Sequence, residues 1–258
     1  MSSNIDRRTF LTTAGSAAAA ATLAGCSGSD DGSASDETTG TETTDGNEAE
    51  SDLSGTLVYA RGDHPQNYDP QQTTSGEVAK VSNQIYDQLV GFTPGSGGQL
   101  RDGLATEYSL EGTTATLTLR EDVTFHNGES FTAADVRATI RRFTDNEYEH
   151  YLGDENRSGY GPFTFGNWVD TVEATGEYEV TIELTQQYAP FLRNLAMFAA
   201  AILSKSQIES LDNQVQLGTE PQGTGSFDFA ELDNRNQRVL LSAHADYWGN
   251  GPNVEPVV

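Results

Sequence analysis

Residues 116–136 constrain the fold more than any other stretch of this 258-residue chain. They read TLTLREDVTFHNGESFTAADV, and the leading alternation of leucine with threonine has the period of a half-buried strand. The pair Asn127-Gly128 predicts a two-residue hairpin turn, since both residues tolerate positive φ. Thr132 then stands at the N-cap of a predicted helix, with Asp135 three residues further on. The stretch thus predicts a strand, a tight turn and a capped helix.

Further periodic segments add strands and helices in mixed order. Strands are predicted at 56–60, 115–119 and 178–184, and helices at 77–89, 133–143 and 190–199. From Leu53 onward the composition is that of an ordinary globular chain, and about 200 residues are enough to bury a core. Such a mixture predicts an α/β fold of the mixed α+β kind.

Several blocks of this sequence resemble the extracytoplasmic solute-binding proteins of family 5, which serve ABC importers of peptides, nickel and oligosaccharides. The block LTLREDVTFHNGESFTAADV resembles the family's signature. Others follow in the family's order, namely LVYARGDHPQNYDP (57–70), IYDQLVGF (85–92), APFLRNLAMFAAAILSKSQI (189–208), GTGSF (223–227) and ADYWG (245–249). The chain departs from the family pattern at Tyr68, where relatives have Leu, and at Ser226, where they have Pro.

The resemblance predicts a periplasmic-binding-protein type II-like fold. Residues 55–258 are then the N-terminal lobe of the solute-binding domain. In relatives the second lobe follows the last of these blocks, so it is predicted to be missing here, as is the strand that returns to the first lobe.

The resemblance also implies a function. It predicts a substrate-binding protein that captures a peptide or another small solute for an ABC permease complex and performs no covalent chemistry, without a cofactor or a metal. The predicted ligand-binding residues are three that follow the opening strand and two in later loops: Arg61, Asp63, His64, Tyr160 and Gly225. They are chosen because they lie in loops beside the family blocks.

The first 25 residues have the form of an export signal. Arg7 and Arg8, followed by Thr-Phe-Leu, precede an uncharged, alanine-rich run at 14–24, which is the pattern of a twin-arginine signal peptide. The run is too short and too rich in alanine to span a bilayer, which needs about 20 strongly apolar residues. The protein is therefore expected on the extracytoplasmic face of the cell membrane.

Cys26 is the single cysteine of the chain, and an intramolecular disulfide is impossible. The preceding Leu-Ala-Gly resembles a lipobox, which predicts that Cys26 is lipidated and attaches the protein to the membrane. Residues 26–54 are rich in Ser, Gly, Thr, Asp and Glu and lack positive charge, so they predict a disordered acidic linker.

The formal net charge of −25 restricts the partners and the environment. It argues against nucleic acid, because the phosphate backbone would be repelled. The chain contains only two lysines, Lys80 and Lys205. A chain so acidic repels itself in dilute buffer, whereas at 1 M salt the Debye length falls to about 3 Å. The composition therefore indicates a halophilic protein.

The residue pattern gives little support for metal binding or for catalysis. None of the four histidines has a metal-ligand spacing, and His126 is interpreted as a structural turn residue. The aromatic residues between 148 and 168 either line a pocket or fasten a loop to the surface. Two alternatives remain open: a truncated, non-binding product or scaffold of the same family, and a secreted hydrolase, which lacks any recognisable catalytic motif.

Protein isolated from its native membrane is expected to begin at Cys26 and to carry the mass of a thioether-linked diacyl anchor, since two acyl chains are what stable attachment usually needs. Intact-mass measurement checks this. A Cys26→Ser variant is the control and should be recovered without the lipid, away from the membrane fraction. A mass that begins before Cys26, or lacks the lipid, would contradict the prediction.

Overall fold

The computed structural model describes residues 55–252. The predicted signal peptide at 1–25, with Arg7 and Arg8, and the predicted linker at 26–54, with Cys26, lie outside the described residues. In the part of the chain that the structure describes, no helix is long and apolar enough to cross a membrane.

Helices and strands alternate in mixed order, which confirms the predicted mixed α+β class. The α-helices are α1 (Gly76–Ile85), α2 (Ala133–Thr144), α3 (Phe191–Asn194) and α4 (Lys205–Ser210). The strands are β1 (Val90–Phe92), β2 (Leu100–Asp102), β3 (Ala105–Glu111), β4 (Thr114–Leu119), β5 (Val169–Ala174), β6 (Glu179–Leu184), β7 (Phe227–Asp233) and β8 (Arg238–Ala243). Short 3₁₀ segments and a π-helical turn at Pro162–Gly166 complete the described part.

A four-stranded antiparallel sheet in the order β3-β4-β6-β5 forms the larger layer. Leu117 on β4 lies opposite Val180 on β6, and alternate residues of both strands are buried. Helix α2 contributes Val136, Ile140 and Phe143 to the same core. The predicted half-buried strands at 115–119 and 178–184 are therefore confirmed, because their apolar sides share one core with α2.

A second core forms where α1 meets the β7–β8 hairpin. Val81 and Ile85 of α1 are buried in the same cluster as Phe227, Val239 and Leu241. Helix α1 begins at an N-cap, Ser75, whose side chain accepts a hydrogen bond from the backbone of residue 77. This second core supports the loops that carry the candidate site.

The predicted hairpin turn is shifted by one residue. The Gly128 N–H donates to the Phe125 carbonyl at 2.8 Å, so the central residues of the turn are His126 and Asn127. Gly128 alone in this turn has positive φ, at 82°. The prediction of a two-residue turn centred on Asn127-Gly128 is wrong, because Asn127 stays at negative φ and Gly128 takes the residue position after the turn, as in three-residue hairpin loops.

The predicted helix at 77–89 is too long. Tyr86 is already extended, and the carbonyls of Gln88 and Leu89 accept hydrogen bonds from Leu104 and Ala105 at 3.0 and 2.8 Å. Pairing with the start of β3 therefore ends the helical pattern.

Two other predicted elements also differ. The predicted helix at 190–199 is only α3 followed by a 3₁₀ segment, since Met197 between them is extended. Residues 56–60 form no strand ladder within the described residues, and Leu57, Val58 and Tyr59 are exposed. A strand pattern needs an edge to pair with, and the described residues do not supply one.

Thr132 caps α2 as predicted, and the cap also joins two helices. The Asp135 carboxylate accepts the Thr132 backbone N–H at 2.9 Å, and its other oxygen accepts the Lys205 backbone N–H at 2.8 Å. Burial is the main reason that the pKa of Asp135 is raised, against the effect of these hydrogen bonds. Asp135 therefore fixes the start of α4 against the start of α2.

An ion pair between Arg142 and Asp69 is completely buried, with both side chains fully excluded from solvent. The two charged groups approach to 2.7 Å. The Arg142 guanidinium also donates to the Gln71 side chain at 2.7 Å and to the side chain and backbone carbonyl of Gln214 at 2.9 and 2.8 Å. Every side of the guanidinium is thereby engaged, and α2 is joined to two loops that are distant in sequence.

Replacing Arg142 with Leu is expected to lower the free energy of unfolding by about 3–5 kcal/mol, because Asp69 would stay buried without its partner. Urea denaturation measures this. Arg141→Leu is the matched control: its pair with Asp145, at a similar distance of 2.8 Å, is partly exposed, so its loss should cost only about 0–1 kcal/mol. Equal losses for the two variants would contradict the role given to the buried pair.

Candidate functional site

A pocket of about 710 Å³ lies between the segment after residue 57 and the turn that joins β7 to β8. We call it the loop pocket. Its lining consists of Val58–His64 without a gap, Gln66, Asn234 and Asn236–Val239. Three of the predicted ligand-binding residues, Arg61, Asp63 and His64, therefore line one pocket. The facing turn was missed by sequence reasoning, although its polar run NRNQR was visible.

The Arg61 side chain makes hydrogen bonds within the protein. Its guanidinium donates to the Glu77 carbonyl at 3.3 Å and to the Tyr68 hydroxyl at 3.2 Å, and it lies 5.9 Å from the centre of the Tyr68 ring. Tyr68 itself is fully buried. Tyr68 thus supplies the hydroxyl that orients Arg61 at the edge of the pocket.

His64 connects the two sides of the loop pocket. Its Nε2 lies 3.1 Å from the Asn234 side-chain oxygen, which makes Nε2 the donor, since that oxygen only accepts. The exposed Asp63 carboxylate accepts the His64 backbone N–H at 2.8 Å, and His64 Nδ1 is buried with no hydrogen-bond partner among the described residues. The pocket therefore presents an exposed carboxylate beside an imidazole whose orientation is fixed by Asn234.

Asp233 holds the β7–β8 turn in shape. It accepts hydrogen bonds from the Asn236 side chain at 2.7 Å, from the Asn236 backbone at 3.0 Å and from the Arg238 guanidinium at 3.2 Å. These bonds, with that of the Asn236 side chain foremost, lower the pKa of Asp233 to about 2. The turn also contains Gln237 at φ 55°. Asp233 thus stays ionised and keeps Arg238 at the mouth of the loop pocket.

An apolar groove of about 520 Å³ adjoins the loop pocket and shares Tyr59, Arg61 and Val239 with it. Its other apolar lining comes from α1 and from the β7–β8 hairpin, with Val81, Phe227 and Leu241 among the residues. A polar pocket beside an apolar groove suits a ligand with charged ends and variable side chains.

Tyr160 does not line the loop pocket. Its ring packs edge-on against Phe198 with the ring centres 5.6 Å apart, and about a third of the residue is exposed, at 37%. The neighbouring aromatic residues are likewise engaged locally: Phe165 is buried against Phe143, and Trp168 stacks on Tyr188 at 3.6 Å. The arrangement favours fastened loops over a shared aromatic pocket, and a role of Tyr160 in ligand binding stays a prediction.

Gly225 lies in a packed position rather than at a surface. Its N–H donates to the Ile85 carbonyl at 2.8 Å, and a Cβ on Gly225 would lie 2.4 Å from the Gln84 carbonyl oxygen. Only glycine permits this close approach to the end of α1. The structure thus separates Gly225 from the loop pocket, and its role in ligand binding also stays a prediction.

Asp87 holds three neighbouring side chains in place through hydrogen bonds. Its buried carboxylate accepts hydrogen bonds from the Trp248 indole at 2.9 Å, from the Thr224 hydroxyl at 3.1 Å and from the Tyr247 hydroxyl at 3.4 Å. The Arg120 guanidinium lies 4.3 Å from the Trp248 ring centre. Burial raises the pKa of Asp87, and the hydrogen bonds oppose this effect. Trp248 is therefore held in a packed position by its contacts with Asp87 and Arg120.

His126 links its turn to the segment before β7, which fits its interpretation as a structural residue. Its Nε2 lies 3.0 Å from the Gly225 carbonyl oxygen. Burial is the main cause that lowers its pKa. The structure also brings His126 close to Asp228 and His244, an association that sequence spacing could not reveal because the three come from distant segments.

Comparison with known proteins places these observations in a family. Residues 99–258 match the family model of bacterial extracellular solute-binding proteins, family 5. The dipeptide-binding protein of Escherichia coli K12 is 31% identical over 219 residues, which cover 79% of this chain and 40% of that protein. Di/tripeptide-binding protein 2 of Pseudomonas aeruginosa is 30% identical with the same coverage. The chain thus spans about 40% of the length of these relatives.

Solved structures of peptide complexes share the fold. The periplasmic binding protein DppA of Helicobacter pylori, in complex with the peptide STSA, matches with a TM-score of 0.72 and 31% identity. The dipeptide-binding protein of Pseudoalteromonas sp. SM9913, in complex with Met-Leu, gives a TM-score of 0.72 and 29% identity. Each match covers 79% of this chain and 42% of the other. The periplasmic-binding-protein type of fold is thereby confirmed.

The free energy of unfolding of the Asp87→Asn variant, minus that of the unchanged chain, is expected to increase as the pH rises from about 3.5 to 7. The reason is that the folded-state pKa of Asp87 is raised, so the stability contributed by its protonated carboxyl group is fully present below the unfolded pKa and is lost as the pH rises through the folded pKa. The difference in free energy of unfolding between the two proteins, from urea melts at each pH, checks this. Taking the difference cancels the effect of the other carboxylates.

Trp248→Phe is the matched control, since it removes one donor and keeps the carboxylate. It should lower the free energy of unfolding by about 1–3 kcal/mol at neutral pH. A relative stability of Asp87→Asn that falls with rising pH would mean that the hydrogen bonds outweigh burial.

Proposed function

Because this chain belongs to the bacterial extracellular solute-binding proteins of family 5, we propose that it is the peptide-binding component, or the first lobe of that component, of an ABC importer. Family members are transport binding proteins rather than enzymes. The observation that carries the proposal is the convergence of Arg61, Asp63 and His64 on one pocket of a fold whose relatives are crystallised with peptides.

The loop pocket offers groups that complement the ends of a short peptide. The exposed Asp63 carboxylate suits an ammonium group, and the half-exposed Arg238 guanidinium suits a carboxylate. His64 lines the pocket beside Asp63, where the contact of its Nε2 with Asn234 fixes the imidazole. Peptide side chains would lie in the adjoining apolar groove, which would accept side chains of different kinds.

A peptide bound at this surface would have its other side free for a second lobe. Closure of two lobes around a ligand is a hinge motion in which the ligand favours the closed form, and the permease complex would recognise that form. Tyr160 and Gly225, which lie outside the loop pocket, would act indirectly in this scheme by holding loops in place.

The chain would work outside the cell. Its family is extracytoplasmic, and the twin-arginine pattern at Arg7 and Arg8 together with the lipobox-like Cys26 supports export and lipid anchoring. A net charge of −25 supports an environment of high salt, in which repulsion among the carboxylates is screened.

A second candidate function is that of a non-binding product or scaffold of the same family. The observation that favours it is the span of about 40% of the relatives' length. A single lobe supplies half of a binding surface, and the affinity lost with the other half can be decisive.

Titration calorimetry with the dipeptide Met-Leu and the tetrapeptide Ser-Thr-Ser-Ala tests the proposal, in dilute buffer and at about 1 M KCl. Binding is expected, and Asp63→Asn and His64→Ala should each weaken it about tenfold or more, which is about 1.4 kcal/mol. The loss follows from removing the charge that faces the peptide, or the imidazole that joins the two sides of the pocket.

Asp212→Asn and His150→Ala are the matched controls, because these residues lie outside the loop pocket and should leave the affinity unchanged. Peptides that are acetylated and amidated should bind more weakly than free ones. Absence of binding at both salt concentrations would overturn the proposal and favour the non-binding alternative.

A further inference from the structure

Three side chains from distant segments converge beside the segment that precedes β7. His126 comes from the turn after β4, Asp228 from β7 and His244 from the residue after β8. One ligand-type atom from each lies within 4.8 Å of the others. Asp228 Oδ1 is 3.6 Å from His126 Nδ1 and 3.2 Å from His244 Nδ1. None of the three lines the loop pocket.

The neighbours of His126 determine which of its nitrogens carries the proton. Nε2 lies 3.0 Å from the Gly225 carbonyl oxygen, which can only accept, so Nε2 carries the hydrogen. Nδ1 faces the Gly223 N–H at 3.3 Å, which can only donate, so Nδ1 bears a lone pair. That second bond is long, and the lone pair is only weakly engaged.

This arrangement is the one that metal-binding histidines have. Such a histidine donates the N–H of its other nitrogen to a carbonyl or carboxylate, which fixes the ring and leaves the lone pair for the ion. His126 is held in this way by Gly225 and has a side chain only 3% exposed. It is therefore a neutral imidazole in a fixed orientation, as a cation ligand must be.

His244 and Asp228 supply the other two ligands and the entry path. The His244 side chain is 10% exposed, and its Nδ1 is the nitrogen that faces Asp228 Oδ1, at 3.2 Å. Asp228 is a third exposed, at 33%, so the cluster opens to solvent on its side. The cluster thus combines two largely buried imidazoles, whose Nδ1 atoms face the same oxygen, with one accessible carboxylate.

We propose that His126, Asp228 and His244 bind a divalent cation of the zinc type, with water as a fourth ligand. In a tetrahedral site with ligands at about 2.0–2.1 Å, neighbouring ligand atoms lie roughly 3.4 Å apart, which the distances of 3.2 and 3.6 Å match closely. Two imidazoles with one carboxylate suit Zn²⁺, Ni²⁺ or Cu²⁺, whereas Ca²⁺ and Mg²⁺ prefer oxygen ligands alone.

The ion would act as a cross-link within the fold. It would join the turn at His126 to the base of the β7–β8 hairpin through Asp228 and His244, outside the loop pocket. The strongly negative chain, with a net charge of −25, would draw cations toward the site. This site is independent of peptide capture, so its failure would leave the proposed function untouched.

Titration of the chelator-treated, purified chain with Zn²⁺ tests the proposal, with native mass spectrometry for stoichiometry and thermal melting for stability. One ion per chain and a higher Tm are expected. Co²⁺ used in place of Zn²⁺ should give the visible spectrum of a four-coordinate ion. Ca²⁺ at the same concentration should not displace Zn²⁺.

His244→Asn and Asp228→Asn should each weaken Zn²⁺ binding by more than the roughly 10–100-fold that a change in an outer-shell partner causes. His150→Ala and Asp212→Asn are the matched controls and should bind as the unchanged chain does. Because His126 also holds a turn, these two variants are used rather than one at His126, and melting without metal verifies that each is folded. Binding of several ions that the variants do not alter, or no binding, would overturn the proposal.

Discussion

The buried ion pair between Arg142 and Asp69 connects more of the chain than any other single interaction described above. A charge in the interior is costly unless its partners surround it, and here Gln71 and Gln214 complete the set of hydrogen bonds to the guanidinium. Three segments are therefore fixed together: the Asp-Pro loop, helix α2 and the 3₁₀ segment Gln214–Thr219. Any shift of one would leave a buried charge without its acceptor.

The candidate site depends on this arrangement. The loop of Asp69 follows directly on the segment that carries Arg61 and His64, and Tyr68 between them is buried while its hydroxyl orients Arg61. The opposite side of the loop pocket is the β7–β8 turn, which Asp233 holds. A ligand would thus meet groups on loops whose bases are anchored in the core, which is how loops keep a binding geometry.

Polar groups between the end of α1 and the start of β7 also anchor loops to the core. Asp87 gathers Thr224 and Trp248 around one buried carboxylate, and Gly225 packs against the end of α1 where a side chain would not fit. The blocks that carry the family resemblance therefore meet in space as well as following one another in sequence. The histidine and aspartate cluster at His126 lies at this junction and would strengthen it when an ion is bound.

Local signals in the sequence determined the strands 115–119 and 178–184, the capped helix α2 and the placement of Arg61, Asp63 and His64 in one loop, because periodicity, capping and turn chemistry act over a few residues. Tertiary structure alone decided where α1 ends, since Gln88 and Leu89 pair with β3. It also decided that the β7–β8 turn faces the loop pocket, that Tyr160 and Gly225 lie elsewhere, and that His126 meets Asp228 and His244. These contacts join residues far apart in the chain, and no local pattern records them.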